Sequence, residues 1–113
     1  MIIKQIKYTG GGYEDCALNE WDFKKLELAE VDEVAYTYGS GFYEGTGLMV
    51  WRKGDKYGYQ YLGHCSCYGP TEDIGTSLQA WFPKEDLEKL AAEAEEQYKE
   101  VYEQILRTNE VSL

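Results

Sequence analysis

One histidine, two prolines and three cysteines are all that 113 positions hold of those residues. Two of the cysteines, Cys65 and Cys67, stand two apart and the total is odd. That is no disulfide framework, and it suits a reducing compartment. The spacings Cys-x-x-Cys and His-x-x-x-His, which mark common metal sites, are both missing. No apolar run approaches the roughly 18 residues that a membrane span needs. The opening Met1-Ile2-Ile3-Lys4-Gln5-Ile6-Lys7 has neither the apolar stretch nor the cleavage site of a signal peptide. The expected location is therefore a cytoplasm. Cations are scarce as well: 11 Lys and Arg face 21 Asp and Glu, a net charge of −10. Such a surface repels nucleic acid and anionic membranes, so neither is expected as a direct partner, and it attracts a basic protein surface instead.

What the chain does have is aromatic residues and glycine between Glu33 and Pro70. This stretch holds most of the tyrosines, most of the glycines and the histidine. Aromatic and β-branched residues punctuated by glycine are the material of a twisted antiparallel sheet. Val34, Tyr36 and Tyr38 fall on one face of a first strand there, Ala35 and Thr37 on the other. Gly39-Ser40-Gly41 reads as a turn. Strands over 43–53 and 57–64 flank Gly54-Asp55, a two-residue hairpin loop. That loop sets Trp51 opposite Gly58, Val50 opposite Tyr59 and Leu48 opposite Tyr61, unless a bulge near Gly45 or Gly47 swaps the faces. Ile2 to Thr9 reads as a short strand ended by Gly10-Gly11-Gly12, and 13–19 as loop. Asn19 is placed to cap a helical turn through Trp21, Phe23 and Leu26. Ser77 to Phe82 alternates like a fourth strand.

Pro83 opens a helix with Glu85 and Asp86 in its first turn, where acids suit the dipole. Leu87, Leu90, Ala91, Ala94, Tyr98, Val101, Tyr102 and Ile105 recur at helical spacing, and Asn109 stands as a stop. Glu93, Glu96, Glu100 and Glu103 line the opposite face. The expected fold is one α+β domain over 1–113, with no linker and no repeat. It has an antiparallel sheet of three to five strands with the long C-terminal amphipathic helix packed on one face. Eleven tyrosines exceed what one small core needs, so the other sheet face is expected to show tyrosine to solvent.

Charge is unevenly spread. Residues 1–50 and 83–113 each carry nine acids and four bases, while 51–82 carry three of each. A charge stripe usually marks a solvated face. If the two acidic flanks meet on one side, the field there is strongly negative, and the surface mimics nucleic acid toward a basic partner.

Four constellations offer chemistry. Cys16, His64, Cys65 and Cys67 supply the residue types of a zinc site without its spacing. Cys65 or Cys16 beside His64 would make a thiolate–imidazolium pair, but no protease signature and no orienting Asn or Asp accompanies them. The glycine-dense run 39–47 opens a strand rather than a helix and lacks a following Lys-Ser or Lys-Thr, so hairpin glycines explain it better than a phosphate loop. Tyr43, Glu44, His64, Cys65, Cys67 and Tyr68 together would make a small-ligand or metal module, with Glu44 a candidate base. No resident cofactor is expected, zinc being the one candidate.

The strings Tyr43-Glu44-Gly45-Thr46-Gly47 and Leu62-Gly63-His64-Cys65-Ser66-Cys67-Tyr68-Gly69-Pro70 resemble a family of small phage and bacterial proteins that carries both motifs. The resemblance covers about a third of the chain, from Tyr36 through Pro70. It brings no catalytic residue. It implies a small accessory protein, phage-encoded and therefore working in a host cytoplasm, that binds and inhibits a host defence or nucleic-acid-handling protein. The acidic flanks, with Glu93, Glu96, Glu100 and Glu103 on the helix, and the exposed tyrosines are the expected contact surface of this non-enzymatic protein. Neither partner identity nor oligomeric state follows from these residues.

Overall fold

The computed structural model describes residues 1–41, 44–64 and 74–111. Among them are five strands, β1 (Ile2–Gln5), β2 (Glu14–Asp15), β3 (Glu33–Ser40), β4 (Gly45–Lys53) and β5 (Lys56–His64). Four α-helices accompany them: α1 (Lys24–Leu28), α2 (Ile74–Ser77), α3 (Lys84–Glu93) and α4 (Glu96–Val111). The sheet order is β1-β3-β4-β5, with β2 also on β3. The class is α+β, as the residue pattern implies, and a long C-terminal helix packs on the sheet.

Hairpin chemistry sets the centre of the sheet. Gly54 takes a left-handed φ of 61° at the β4–β5 turn, where a side chain would be strained. The register that follows pairs Trp51 with Gly58, Val50 with Tyr59 and Leu48 with Tyr61, as the two-residue loop predicts. It runs without a bulge from Lys53 to Gly45. The β3–β4 pairing continues to Ser40, so Gly39 and Ser40 belong to the strand, not to a turn.

β1 departs from the antiparallel expectation. It pairs parallel to β3, with Ile3 against Val34 and Gln5 against Tyr36. Parallel neighbours need a crossover, and residues 6–32 provide it. Asn19 caps that crossover's 3-10 turn, Glu20–Phe23. Its Oδ1 accepts from the Asp22 N–H at 3.3 Å, and Asp22 Oδ2 accepts from the Asn19 N–H at 3.0 Å. Phe23, Leu26 and Val31 then go under the sheet with Val34, Tyr36, Tyr38, Met49, Trp51, Leu62 and Ile74. This crossover layer covers the face that the sequence reading leaves open to water.

The opposite face carries the second half of the core. Ala35, Leu48, Val50 and Tyr57 from the sheet meet Leu87, Tyr98, Val101, Tyr102 and Ile105, all buried. The apolar stripe of the C-terminal segment thus packs as its spacing requires. The helix is not continuous, however: Ala94 is extended (φ −68°, ψ 150°) between α3 and α4. Neither glycine nor proline stands at the break. The like charges of Glu93 and Glu96, three apart, weaken a continuous helix there, and α3 lies on β5 while α4 lies on β3 and β4, with Leu87 and Ile105 in one core. α4 continues through Asn109 to Val111.

The expected fourth strand over 77–82 is a correction. Ile74 is fully buried under the crossover face, and a helical turn closed by the Leu78 N–H on the Ile74 carbonyl (2.9 Å) puts it there. Only Phe82 keeps a strand contact, a two-bond bridge to Tyr57 at 2.8 and 2.9 Å.

Candidate functional site

The strand register gathers part of the expected ligand module. Ser40, Gly45 and His64 lie in one row across β3, β4 and β5, and Glu14 of β2 extends the row beyond Ser40. The Gly41 N–H donates to the Glu44 carbonyl at 2.7 Å, closing the β3–β4 connection. Glu44, next to Gly45, therefore stands at the same end of the sheet as the His64 backbone, and its own side chain is exposed. Cys16 joins this end through its N–H, which donates to the Tyr38 carbonyl at 2.9 Å, and it is half-buried against the crossover core. Tyr43, Cys65, Cys67 and Tyr68 lie outside the described residues, as does the His64 side chain. Among the described residues no three His, Cys, Asp or Glu side chains come together as a metal site.

The acidic flanks lie only partly on one side. Glu20, Glu27 and Glu30 sit on the crossover layer, while Glu93, Glu96, Glu100 and Glu103 sit on the helical layer across the sheet. These acids are separated by the sheet, whereas Asp15 accepts from the Tyr8 N–H at 2.7 Å and Tyr8 packs with Tyr98 near Glu95. Within the helical set the four carboxylates are also unequal. Arg107 reaches Glu103 at 2.7 Å and Glu100 at 3.4 Å, and Gln104 donates to Glu100 at 2.7 Å. These contacts compensate Glu100 and Glu103 in part. Glu93 and Glu96 flank the helix break and are exposed. Glu93 also ends α3, whose last turn carries no basic residue to offset the negative end of the helix dipole.

Most tyrosines are interior, which corrects the expectation of a tyrosine-covered face. Tyr8, Tyr36, Tyr38, Tyr57, Tyr98 and Tyr102 are buried, and Tyr61 alone of those described is mainly exposed. Burial, then the nearby Cys16 thiol, pushes the Tyr38 phenol up to about 12, against a smaller opposing hydrogen bond from Ser40. Burial raises Tyr36 too, although its hydroxyl accepts from the Leu18 N–H at 3.0 Å. Tyr8 is raised by burial and then by Tyr98 and Tyr13, and Tyr102 by burial and then by Tyr61. These rings are core members with muted acidity. They offer no charge to a partner.

Residues that sequence reasoning passed over stand out instead. Trp21 is 80% exposed, Leu28 74% and Ile3 46%. Trp21 shares the capped turn with Phe23, yet the turn sends Phe23 inward and Trp21 outward. Ile3, Glu20, Trp21, Lys24 and Glu27 line an open groove of about 500 Å³ between β1 and the crossover helix. The only sequence signal for it was the Asn19 cap, which places Trp21 one position before Asp22 and so off the buried stripe.

No helix among the described residues is long and apolar enough to cross a membrane. No protein-family model matches the chain, and no curated protein or solved structure matches it either.

Proposed function

We infer that this is a non-catalytic binding protein that engages a basic surface on another protein. The observation that carries the reading is the imbalance left at the surface. On α3 and α4 the exposed carboxylates Glu85, Asp86, Glu88, Glu93, Glu95, Glu96 and Glu103 stand against the exposed cations Lys89 and Arg107, and on the crossover Glu20, Glu27, Glu30 and Asp32 stand against Lys24 and Lys25, within a net charge of −10. Fields of this kind speed encounter with a positive partner and make binding sensitive to salt. In the setting implied by the resemblance, the chain is a phage-type accessory protein in a host cytoplasm, and binding inhibits a host defence or nucleic-acid-handling protein. Because the acids occupy two layers, each layer acts as a separate contact, and neither mimics a whole duplex. On the helical layer Glu93 and Glu96 contribute most, since Arg107 draws off part of the field of Glu100 and Glu103.

The test is capture of host proteins on the immobilised chain at low and high salt. Basic proteins retained at low salt and released at high salt support the reading. A captured set that is acidic, or that does not change with salt, removes its motivation. Glu93→Gln with Glu96→Gln weakens capture more than Glu100→Gln with Glu103→Gln if the helical layer is used.

A second reading has one specific observation behind it, the pairing that brings Glu44 to the His64 end of the sheet. A metal or small ligand held by Glu44, His64, Cys65 and Cys67 would use that end, with Cys16 as a further candidate. Zinc emission from protein purified without chelator decides it. A stoichiometric signal supports a metal at this end, and its absence ends the metal form of the module.

A further inference from the structure

The edge of the sheet at β1 is open in a way that the other edge is not. β5 is bridged at Tyr57 by Phe82, and its Gln60 accepts a hydrogen bond from Ser77. On β1, the Ile2 N–H donates to the Asp32 carbonyl at 3.0 Å and the Ile6 N–H to the Tyr36 carbonyl at 2.7 Å. In a parallel ladder, main-chain groups alternate between the two sides of a strand. Residues 2, 4 and 6 therefore face β3, and the N–H and C=O groups of Ile3 and Gln5 face outward. Such groups are a template for one more strand.

Side chains beside this edge favour a particular guest. Ile3 shares its sheet face with its register partner Val34, which is the crossover face. There it lines the groove with Trp21, and Glu20 and Glu27 line the same groove. An added strand would lay alternate residues into this groove. The apolar floor accepts aliphatic side chains, and the two carboxylates accept cations. Lys24 is the one base in the lining.

We propose that β1 and the Trp21 groove form a strand-addition site for an extended segment of a partner protein that alternates apolar and basic residues. This deepens the reading of the chain as an acidic binding protein and rests on it. It names where one contact is made and in what backbone form. A second copy of this chain is the poorer occupant. It would bring another net charge of −10 and set Glu20 and Glu27 against like charges. Trp21 has the character of a binding anchor, a large aromatic ring held by a capped turn at small entropic cost.

The probe is a short synthetic peptide alternating lysine and valine, with an alternating glutamate–valine peptide as control. Binding is read by fluorescence anisotropy and by amide NMR shifts on the full chain. The lysine peptide is expected to bind, to shift the Ile3 and Gln5 amides, and to weaken as salt rises. Trp21→Ala is expected to weaken it by about tenfold or more, as loss of a central aromatic anchor does. Ile3→Pro removes an outward N–H together with the Ile3 side chain from the groove, takes no hydrogen bond from β3, and should weaken it about as much, with circular dichroism confirming the fold. Glu20→Gln with Glu27→Gln should flatten the salt dependence.

The proposal is overturned if the lysine peptide does not bind, or if the control peptide binds as well. It is equally overturned if sedimentation at the low salt where the lysine peptide is tested shows a dimer that Ile3→Pro dissolves. Salt-sensitive binding that ignores both Trp21→Ala and Ile3→Pro would leave the acidic-binding reading standing and remove this site. Binding that shifts Ile3 and Gln5 but ignores salt would keep the edge and remove the electrostatic reading.

Discussion

Gly58→Ala tests the register on which every placement above depends. A Cβ built at Gly58 collides with the Trp51 indole, with Cε2 at 2.7 Å and Cδ1 at 3.1 Å. Trp51 has nowhere to go, since it is fully buried among Val34, Met49, Leu62 and Ile74. Overpacking of this kind costs about 1–3 kcal/mol. Against it stands a gain of about 0.4–1 kcal/mol from the smaller freedom of alanine in the unfolded chain. The net is a loss of about 1–2 kcal/mol. Gly63→Ala in the same strand is the control. Among the described residues its Cβ meets only the Gly45 carbonyl, at an ordinary 3.7 Å, so the entropic gain stands nearly alone. Urea unfolding followed by tryptophan fluorescence should put the two variants on opposite sides of the parent, about 2 kcal/mol apart. Equal midpoints, or a Gly58→Ala variant as stable as Gly63→Ala, would show that Trp51 does not lie over Gly58. The row that brings Glu44 to the His64 end would then fall with it.

Two further outcomes follow from single positions. Glu30 ends α1 with φ 61°, a conformation that costs a non-glycine residue about 1 kcal/mol, and its ion pair to Lys53 is long (4.0 Å) and exposed. Glu30→Gly should therefore raise stability by a few tenths of a kcal/mol, even though it adds a glycine; a fall of 1 kcal/mol or more in urea unfolding would show that the ion pair matters. In alkali the buried phenols set the limit. Tyr38 keeps its proton to about 12 when folded, and Tyr8, Tyr36 and Tyr102 are raised as well, whereas in the unfolded chain tyrosine loses its proton near 10. Between these values the unfolded state binds fewer protons, so stability falls as pH rises through 10 toward 12 and is unaffected below. Absorbance at the phenolate band and circular dichroism should show these rings ionising only as the fold is lost; full ionisation ahead of unfolding would contradict their burial.

The parts of the fold legible in the residues are those set by local chemistry. Gly54-Asp55 admits one tight hairpin, and from it the β4–β5 register follows residue by residue. The stripe from Leu87 to Ile105 has a helical period, and it packs as such. What could not be read depended on distant partners. The parallel pairing of β1 requires knowing that the 3-10 turn and α1 cross the sheet, and their nine residues show only one cap and four apolar positions. Once that layer is in place, Tyr36 and Tyr38 are interior, so the count of tyrosines misled about the surface. The break at Ala94 left the apolar spacing intact, because Ala94 and Tyr98 are four apart either way, and periodicity is blind to it. For the candidate surface, Trp21, Phe23 and Leu26 looked alike as a string. Only the cap geometry separates the one that faces water.

The two acidic layers and the open edge bear on one another. A free strand edge ordinarily invites pairing between copies, and proteins blunt it by keeping it short and charged. β1 is four residues long and carries Lys4, which Glu33 holds at 3.4 Å, while Arg52 holds the same buried carboxylate at 2.9 Å. The lysine is thus tied to the far face and leaves the Trp21 side apolar. What then separates copies is the long-range repulsion of a net −10, which salt screens within about 10 Å at 0.1 M. The same screening weakens the attraction to a basic partner. Raising salt should therefore move the chain from a monomer that accepts cationic strands toward one that pairs with itself through β1, two trends of opposite sign from a single cause. Sedimentation and peptide binding measured over one salt series would show both together. Loss of peptide binding with no rise in self-association would mean that the short strand and the tied Lys4, rather than net charge, keep copies apart.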